Sequence, residues 1–235
     1  MDVEHFCSRV YAYARAHGEP FIRNSDTDAL RTFISERVQQ FVSETMCLYD
    51  DEITMTLTAS TGTYDLMSTS VFSSAILEPL NFFRDGVAML GEDGYPGSVS
   101  SREADDWVYD YRTVADGPPQ KWLLFPPSTV RLIPAPDVAT YSVVASGWIQ
   151  HFDLTASGVL DTTEMLLGTT ALHPAAMYCA GHLVIGAGEG PSQAAAIGMI
   201  EYGLKEGRKI AARADSMLQG PMVRGRRRQT RVALA

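Results

Sequence analysis

Ala171-Leu-His-Pro-Ala-Ala-Met-Tyr-Cys-Ala-Gly-His-Leu-Val-Ile-Gly-Ala187 and Pro191-Ser-Gln-Ala-Ala-Ala-Ile-Gly-Met-Ile-Glu-Tyr-Gly-Leu-Lys-Glu-Gly-Arg-Lys-Ile-Ala-Ala-Arg-Ala-Asp-Ser-Met217 read as two helices joined by the Gly-rich turn 186–190. Pro191 suits the first turn of a helix, where its missing N–H costs nothing. In the second helix Ile197, Ile200, Leu204, Gly207 and Ala211 recur at helical spacing, so that stripe is expected to be buried. Gly198, Gly203 and Gly207 each cost roughly 1 kcal/mol relative to Ala inside a helix. They are tolerable where another backbone must come close.

The pattern stops after Met217. Residues 218–235 carry Arg224, Arg226, Arg227, Arg228 and Arg231 and no acid. The whole chain is −9, from 19 bases and 28 acids, so removing those five arginines leaves residues 1–217 at 14 − 28 = −14. A polycationic end on an acidic body is either a solvated terminus or an arm that docks on a partner.

At 235 residues, 46% hydrophobic and 20% charged, the chain has the composition of a globular protein with a sizeable core. No apolar run approaches the ~20 residues that span a bilayer. The start, Met1-Asp-Val-Glu-His, lacks the basic residues and apolar run of a signal peptide. Cys7, Cys47 and Cys179 are odd in number and far apart, as expected of reduced thiols in a protein made in a cytoplasm. An acidic body argues against general nucleic-acid binding by the folded part.

Working outward to the N-terminus, Val3, Phe6, Val10, Tyr13 and Ala14 predict a helix over 2–17, ended by Gly18-Glu-Pro20. Leu30, Phe33, Ile34, Val38, Phe41, Val42 and Met46 predict a second from about Asp26 to Met46, capped by Ser25 or Thr27. The period then changes to two. Ile53, Met55 and Leu57 alternate with Thr54, Thr56 and Thr58, a half-buried strand, and Thr63-Tyr-Asp-Leu66 is its expected hairpin partner. Residues 71–83 read as extended or mixed, 90–101 as a loop and 102–111 as a short helix. Strands are expected at 121–125, 129–133 and 140–149, followed by an irregular connection over 150–170. The fold class is therefore α+β. An antiparallel helical bundle from both chain ends (1–50 and 171–217) brackets a β-rich, barrel- or sandwich-like insertion (51–170), and 218–235 forms an extended basic arm.

In order and phrasing the chain resembles the head-to-tail adaptor (connector, or head-completion) proteins of tailed bacteriophages. The residues that carry the resemblance are Ile53-Thr-Met-Thr-Leu-Thr-Ala-Ser-Thr-Gly-Thr-Tyr-Asp-Leu66, Pro119-Gln-Lys-Trp-Leu-Leu124, Val130-Arg-Leu-Ile-Pro-Ala-Pro-Asp137, and the closing helix pair with its basic arm. They cover roughly 25–67 and 117–235, and 68–116 diverges. The resemblance implies a structural virion protein of the neck, assembled in the host cytoplasm as a ring, usually of twelve copies, between the portal and the tail or nozzle proteins. The bundle would pack on neighbouring subunits and the portal, and the β part would face the tail. The arm's arginines would pair with acidic portal surface. The genome would pass through the ring without sequence-specific binding, and an acidic lumen would repel its phosphates. A tail terminator or stopper is the nearest alternative.

Enzymatic readings are weaker. His182-Leu-Val-Ile-Gly-Ala-Gly-Glu-Gly190 looks like a dinucleotide-binding turn, but Pro191 stands where the third glycine is due. Nor is there room downstream for a second parallel strand bearing an acid. Cys179 and His182, with His173 nearby, have the spacing of metal ligands on one helix but lack further donors. His151, Asp153 and Ser157 form a triad only on paper, since no nucleophile elbow or oxyanion loop accompanies them. Asp50-Asp51-Glu52 and Asp105-Asp106 read as solvated acidic surface, and Trp107, Trp122 and Trp148 as core or interface anchors. No catalytic, cofactor or metal residue is assigned.

Overall fold

A computed structural model describes residues 1–65, 87–90, 96–101, 115–125, 129–186 and 191–219. The expected extended stretch 71–83, the helix over 102–111 and the basic arm lie outside them. Chain contacts divide the protein into two units, Met1–Leu48 with Gln150–Met217, and Tyr49–Ile149 with Leu218–Ala235.

The helical unit is built on α1 (Val3–His17), α2 (Thr27–Thr45), α3 (Thr169–Ile185) and α4 (Pro191–Gln219). Asp2 starts α1 by accepting the His5 N–H at 2.9 Å, and the helix buries Val3, Phe6, Val10 and Ala14. On α2, Leu30, Ile34, Val38, Phe41 and Val42 are buried as their spacing predicts; Phe33 is half-exposed. The residue in the N-cap position is Asp26, with no side-chain capping bond, and Met46 ends the helix in the left-handed region at φ 54°. Buried residues lie all round α3 itself, Leu172, Ala176, Cys179, Leu183 and Val184 among them. A helix apolar on every side belongs at the centre of a bundle. Accordingly α1 packs on it, as does α2, and α4 lies against it through glycines.

Residues 150–168, expected within the β-rich insertion, group with the helices. They form a strap without regular secondary structure, held by a polar stripe on α2. Arg31 donates to the Leu154 carbonyl at 2.6 Å, the Val159 carbonyl at 2.9 Å and the Asp161 carboxylate at 2.6 Å. Ser35 donates to Asp153 at 2.7 Å and accepts from the Leu154 N–H at 2.9 Å, and Gln39 reaches the His151 carbonyl. Positions 31, 35 and 39 stand one turn apart, so one helix edge holds the strap along its length. The strap in turn holds the start of α1: Val3 N–H donates to Thr163 O at 3.0 Å and Met165 N–H to Met1 O at 3.0 Å. Arg31→Ala leaves two partly buried carbonyls without their charged donor. It is expected to cost about 2–3 kcal/mol in urea denaturation, since such bonds are worth roughly 1.5–3 kcal/mol each before water compensates. Faster proteolysis within 154–161 should accompany the loss.

The β unit holds β1 (Tyr49–Thr56), β2 (Thr63–Asp65), β3 (Val87–Leu90), β4 (Pro96–Ser101), β5 (Lys121–Phe125), β6 (Thr129–Ile133) and β7 (Ser142–Trp148). They make one sheet in the order β1-β7-β3-β4-β5-β6-β2, antiparallel except for β4 beside β5. Ile53, Met55 and Leu57 are buried on alternate positions, as predicted. Two expectations change. Thr63–Asp65 pairs with Thr129–Arg131 of β6 and not with β1, because the Leu57–Gly62 link turns away to β6, where Gly62 O accepts the Leu132 N–H at 2.7 Å. Residues 96–101, read as loop, form β4, which pairs with β3 and β5. The turn after β6 is a hub of carbonyls. Ile133, Ala135 and Pro136 accept the N–H groups of Gln120, Gly117 and Ser60 at 3.0, 2.8 and 2.6 Å. Pro134 and Pro136 have no N–H to leave unpaired there.

Candidate partner-binding surface

The site an adaptor would use is a surface, and α4 supplies the best-defined one. Its buried line is Ala196, Met199, Gly203 and Gly207. Of the stripe expected from sequence, Gly207 is buried, but Ile200, Leu204 and Ala211 are half-buried and Ile197 is 43% exposed, so the buried face is turned away from the branched members. The reason is close packing. A Cβ at Gly203 would stand 2.8 Å from the Pro174 carbonyl and 2.8 Å from Tyr178 Cβ. One at Gly207 would stand 2.6 Å from Thr45 Cγ2. On α3, one at Gly181 would stand 2.6 Å from the Ala196 carbonyl. Only the smallest residues fit between these helices, which pushes the branched ones to the shoulder.

The two flanks of α4 differ. On one, the Tyr202 ring packs 5.7 Å from His173, whose Nδ1 lies 3.2 Å from the Tyr13 hydroxyl, so a line of rings joins α1, α3 and α4. On the other lie Ile197, Ile200 and Leu204. Beneath α4, Tyr178 of α3 donates to Glu44 of α2 at 3.4 Å, and its ring lies 5.5 Å from Phe41 and 4.6 Å from His182. Burial and the Arg37 charge both hold His182 below its ordinary value, and among the described residues its Nε2 and the Nε of Arg37 are buried and find no hydrogen-bond partner. Burial, reinforced by Glu44, pushes the Tyr178 phenol up. Along the outer face, Glu201, Leu204, Lys205, Arg208, Lys209 and Ala212 line a shallow open depression.

Gly198 differs from the other two α4 glycines: among the described residues a Cβ there would meet nothing within 4 Å. Gly198→Ala is therefore expected to stabilise the isolated chain by about 1 kcal/mol, read as a higher denaturation midpoint at constant slope.

The enzymatic constellations do not assemble. The segment before the 186–190 turn is a helix, Thr169–Ile185, and not the strand a dinucleotide turn requires. Burial pushes the Cys179 thiol up, His173 is engaged with Tyr13, and no metal-binding cluster occurs among the described residues. Asp153 gives its carboxylate to Thr155 and Ser35, whose hydrogen bonds hold it below the usual range, and His151 bonds to the Phe152 carbonyl instead. Among the described residues no helix is long and apolar enough to cross a membrane. Trp148 stacks edge-on to Tyr49 at 5.0 Å across β1 and β7. The arginines 224, 226, 227, 228 and 231 lie beyond the described residues.

A search of curated proteins returned no match to this chain. The family model described as SU10 adaptor protein matches residues 1–227, including the 1–24 and 68–116 stretches that carry none of the shared phrases. The protein belongs to the SU10 adaptor protein family, the phage head-to-tail adaptors it resembles in sequence.

Proposed function

We propose that this chain is a non-enzymatic head-to-tail adaptor subunit that forms a ring, of about twelve copies by family resemblance, between portal and tail, with the genome passing through it. The observation that carries the reading is the family match over residues 1–227. It supports a position in the virion neck, where the protein would join other head and tail parts. The helical unit supports the reading, because α4 keeps a half-open branched stripe, Ile197, Ile200 and Leu204, on one flank and Tyr202 on the other. A ring needs two unlike patches on each subunit, one for each neighbour. The open face at Gly198 suits a close neighbour as well.

In this reading the β unit is a barrel-like module directed at the tail. Its edge strands β1 and β2 are separated only by residues 57–62. A flat sheet of this size would hold its edges about 29 Å apart, at ~4.8 Å per strand gap. The link reaches at most ~25 Å fully extended, and it is not extended, since Thr61 N–H donates to Thr58 O at 3.1 Å. Curling of the sheet resolves the mismatch.

The test is particle mass by light scattering, for the chain alone and with the portal protein of the same genome. A monomer that adds a ring's worth of mass to the portal is the expected result. A full-length chain that stays a small discrete species and adds nothing to the portal would sink the proposal.

A further inference from the structure

Among the described residues the buried polar side chains are Ser35, Thr45 and His151, and of these only His151 ionises. It is 1% exposed, and both ring nitrogens are engaged. Nδ1 lies 2.9 Å from the Phe152 carbonyl, which only accepts, so Nδ1 carries the proton. Nε2 accepts the Leu166 N–H at 3.2 Å, so it must be bare. The neutral imidazole thus ties the two ends of the strap together, with its ring 4.3 Å from that of Phe152.

We propose that His151 is an acid-sensitive latch on the strap: neutral, it binds Leu166 to Phe152; protonated, it turns an N–H toward the Leu166 N–H and that tie opens. The neighbouring Met165 N–H holds the Met1 carbonyl and Thr163 O holds the Val3 N–H, so an open latch loosens the seat of α1. Among the described residues no carboxylate contacts the His151 ring to compensate the new charge. From α2 the group that reaches the residue is the neutral Gln39. From the strap the facing groups are Phe152 and Leu166, and the Asp153 carboxylate is taken by Ser35 and Thr155. Burial depresses the proton affinity of the imidazole, and only the Phe152 carbonyl opposes it. The sign follows. The unfolded chain takes up the proton near the ordinary value of about 6.5 while the folded chain resists, so stability is full above that pH and falls as pH drops below it.

The inference does not depend on ring formation, and the isolated chain serves for the test. Amide hydrogen exchange, corrected for intrinsic rates, would be followed at pH 7.5 and 5.0. Leu166 and Met165 should lose about tenfold or more in protection while the interior of α3 changes little. His151→Gln, which keeps a neutral donor and acceptor, should remove the pH dependence. Should that variant fail to fold, an NMR titration of the wild-type ring decides instead: its midpoint must lie below that of the acid-unfolded chain and coincide with the loss of Leu166 protection. Protection at Leu166 unchanged to pH 5.0, an equal loss throughout α3, or the same dependence in His151→Gln would each overturn the latch.

Discussion

Gly203→Val is expected to destabilise the helical unit by about 3–4 kcal/mol, and Gly181→Ala by about 1–3 kcal/mol, even though each gains helix propensity. At 203 the new Cβ would stand 2.8 Å from the carbonyl oxygen of Pro174, 2.8 Å from Tyr178 Cβ and 3.2 Å from Tyr178 Cα. At 181 it would meet the Ala196 carbonyl at 2.6 Å and Ile200 N at 3.2 Å. These are atoms of the α3 and α4 backbones or fixed to them, so no rotamer change relieves the overlap and the helices must separate. Separation strips contacts from Tyr178, Cys179 and Met199, all buried around these glycines. Valine adds two methyls and a restricted χ1 to the clash. The measurement is urea denaturation followed by helical circular dichroism, beside Gly198→Ala on the same α4. One glycine replacement should raise the midpoint and the others lower it, and a common direction for all three would refute the close-packing account.

The same glycines show where sequence reasoning held and where it slipped. On α2 the 3.6-residue period is carried by large apolar side chains, so Leu30, Ile34, Val38, Phe41 and Val42 could be assigned to the core directly, and they are there. On α4 the period was also legible, but its phase was not. The expected stripe is Ile197, Ile200, Leu204, Gly207 and Ala211, whereas the buried line is set by how closely α3 and α2 approach, which favours Ala196, Gly203 and Gly207, so the two share Gly207. Gly203 and Gly207, read from sequence as places of close approach, are such places, whereas Gly198, read the same way, is not. In the β unit, alternation placed Ile53, Met55 and Leu57 on one face but could not name a partner for Thr63–Asp65, because period two fixes a face and not a neighbour. The strap was illegible for a different reason. Its bonds run from its own backbone to Arg31, Ser35 and Gln39, three polar residues that in sequence look like a solvated helix edge. The proposed docking arm rests on chemistry alone, a run of arginines after an acidic body, since charge composition carries no geometry.

Replacing Arg224, Arg226, Arg227, Arg228 and Arg231 together with Gln is expected to weaken portal binding by about 60- to 4,000-fold. Exposed charge pairs contribute roughly 0.5–1 kcal/mol each, so five give about 2.5–5 kcal/mol, and each 1.4 kcal/mol is tenfold. Replacing the same five with Lys should recover part of this, because the charge stays and the bidentate fork is lost. Raising salt from about 0.05 to 0.5 M should weaken the wild type more than the Gln variant, as screening acts only on charges that are present. The family match ends at residue 227, which divides the arginines into three inside it and two beyond. If docking depends on summed charge, Arg228 and Arg231 should matter about as much per residue as the other three; if it depends on a fitted segment, the loss will fall on Arg224, Arg226 and Arg227 alone. Affinity untouched by all five replacements would mean the terminus is solvated and that α4 or the β unit makes the contact. The assay must exclude DNA, for a polycation on a −14 body binds phosphates through the same charges and would imitate the result.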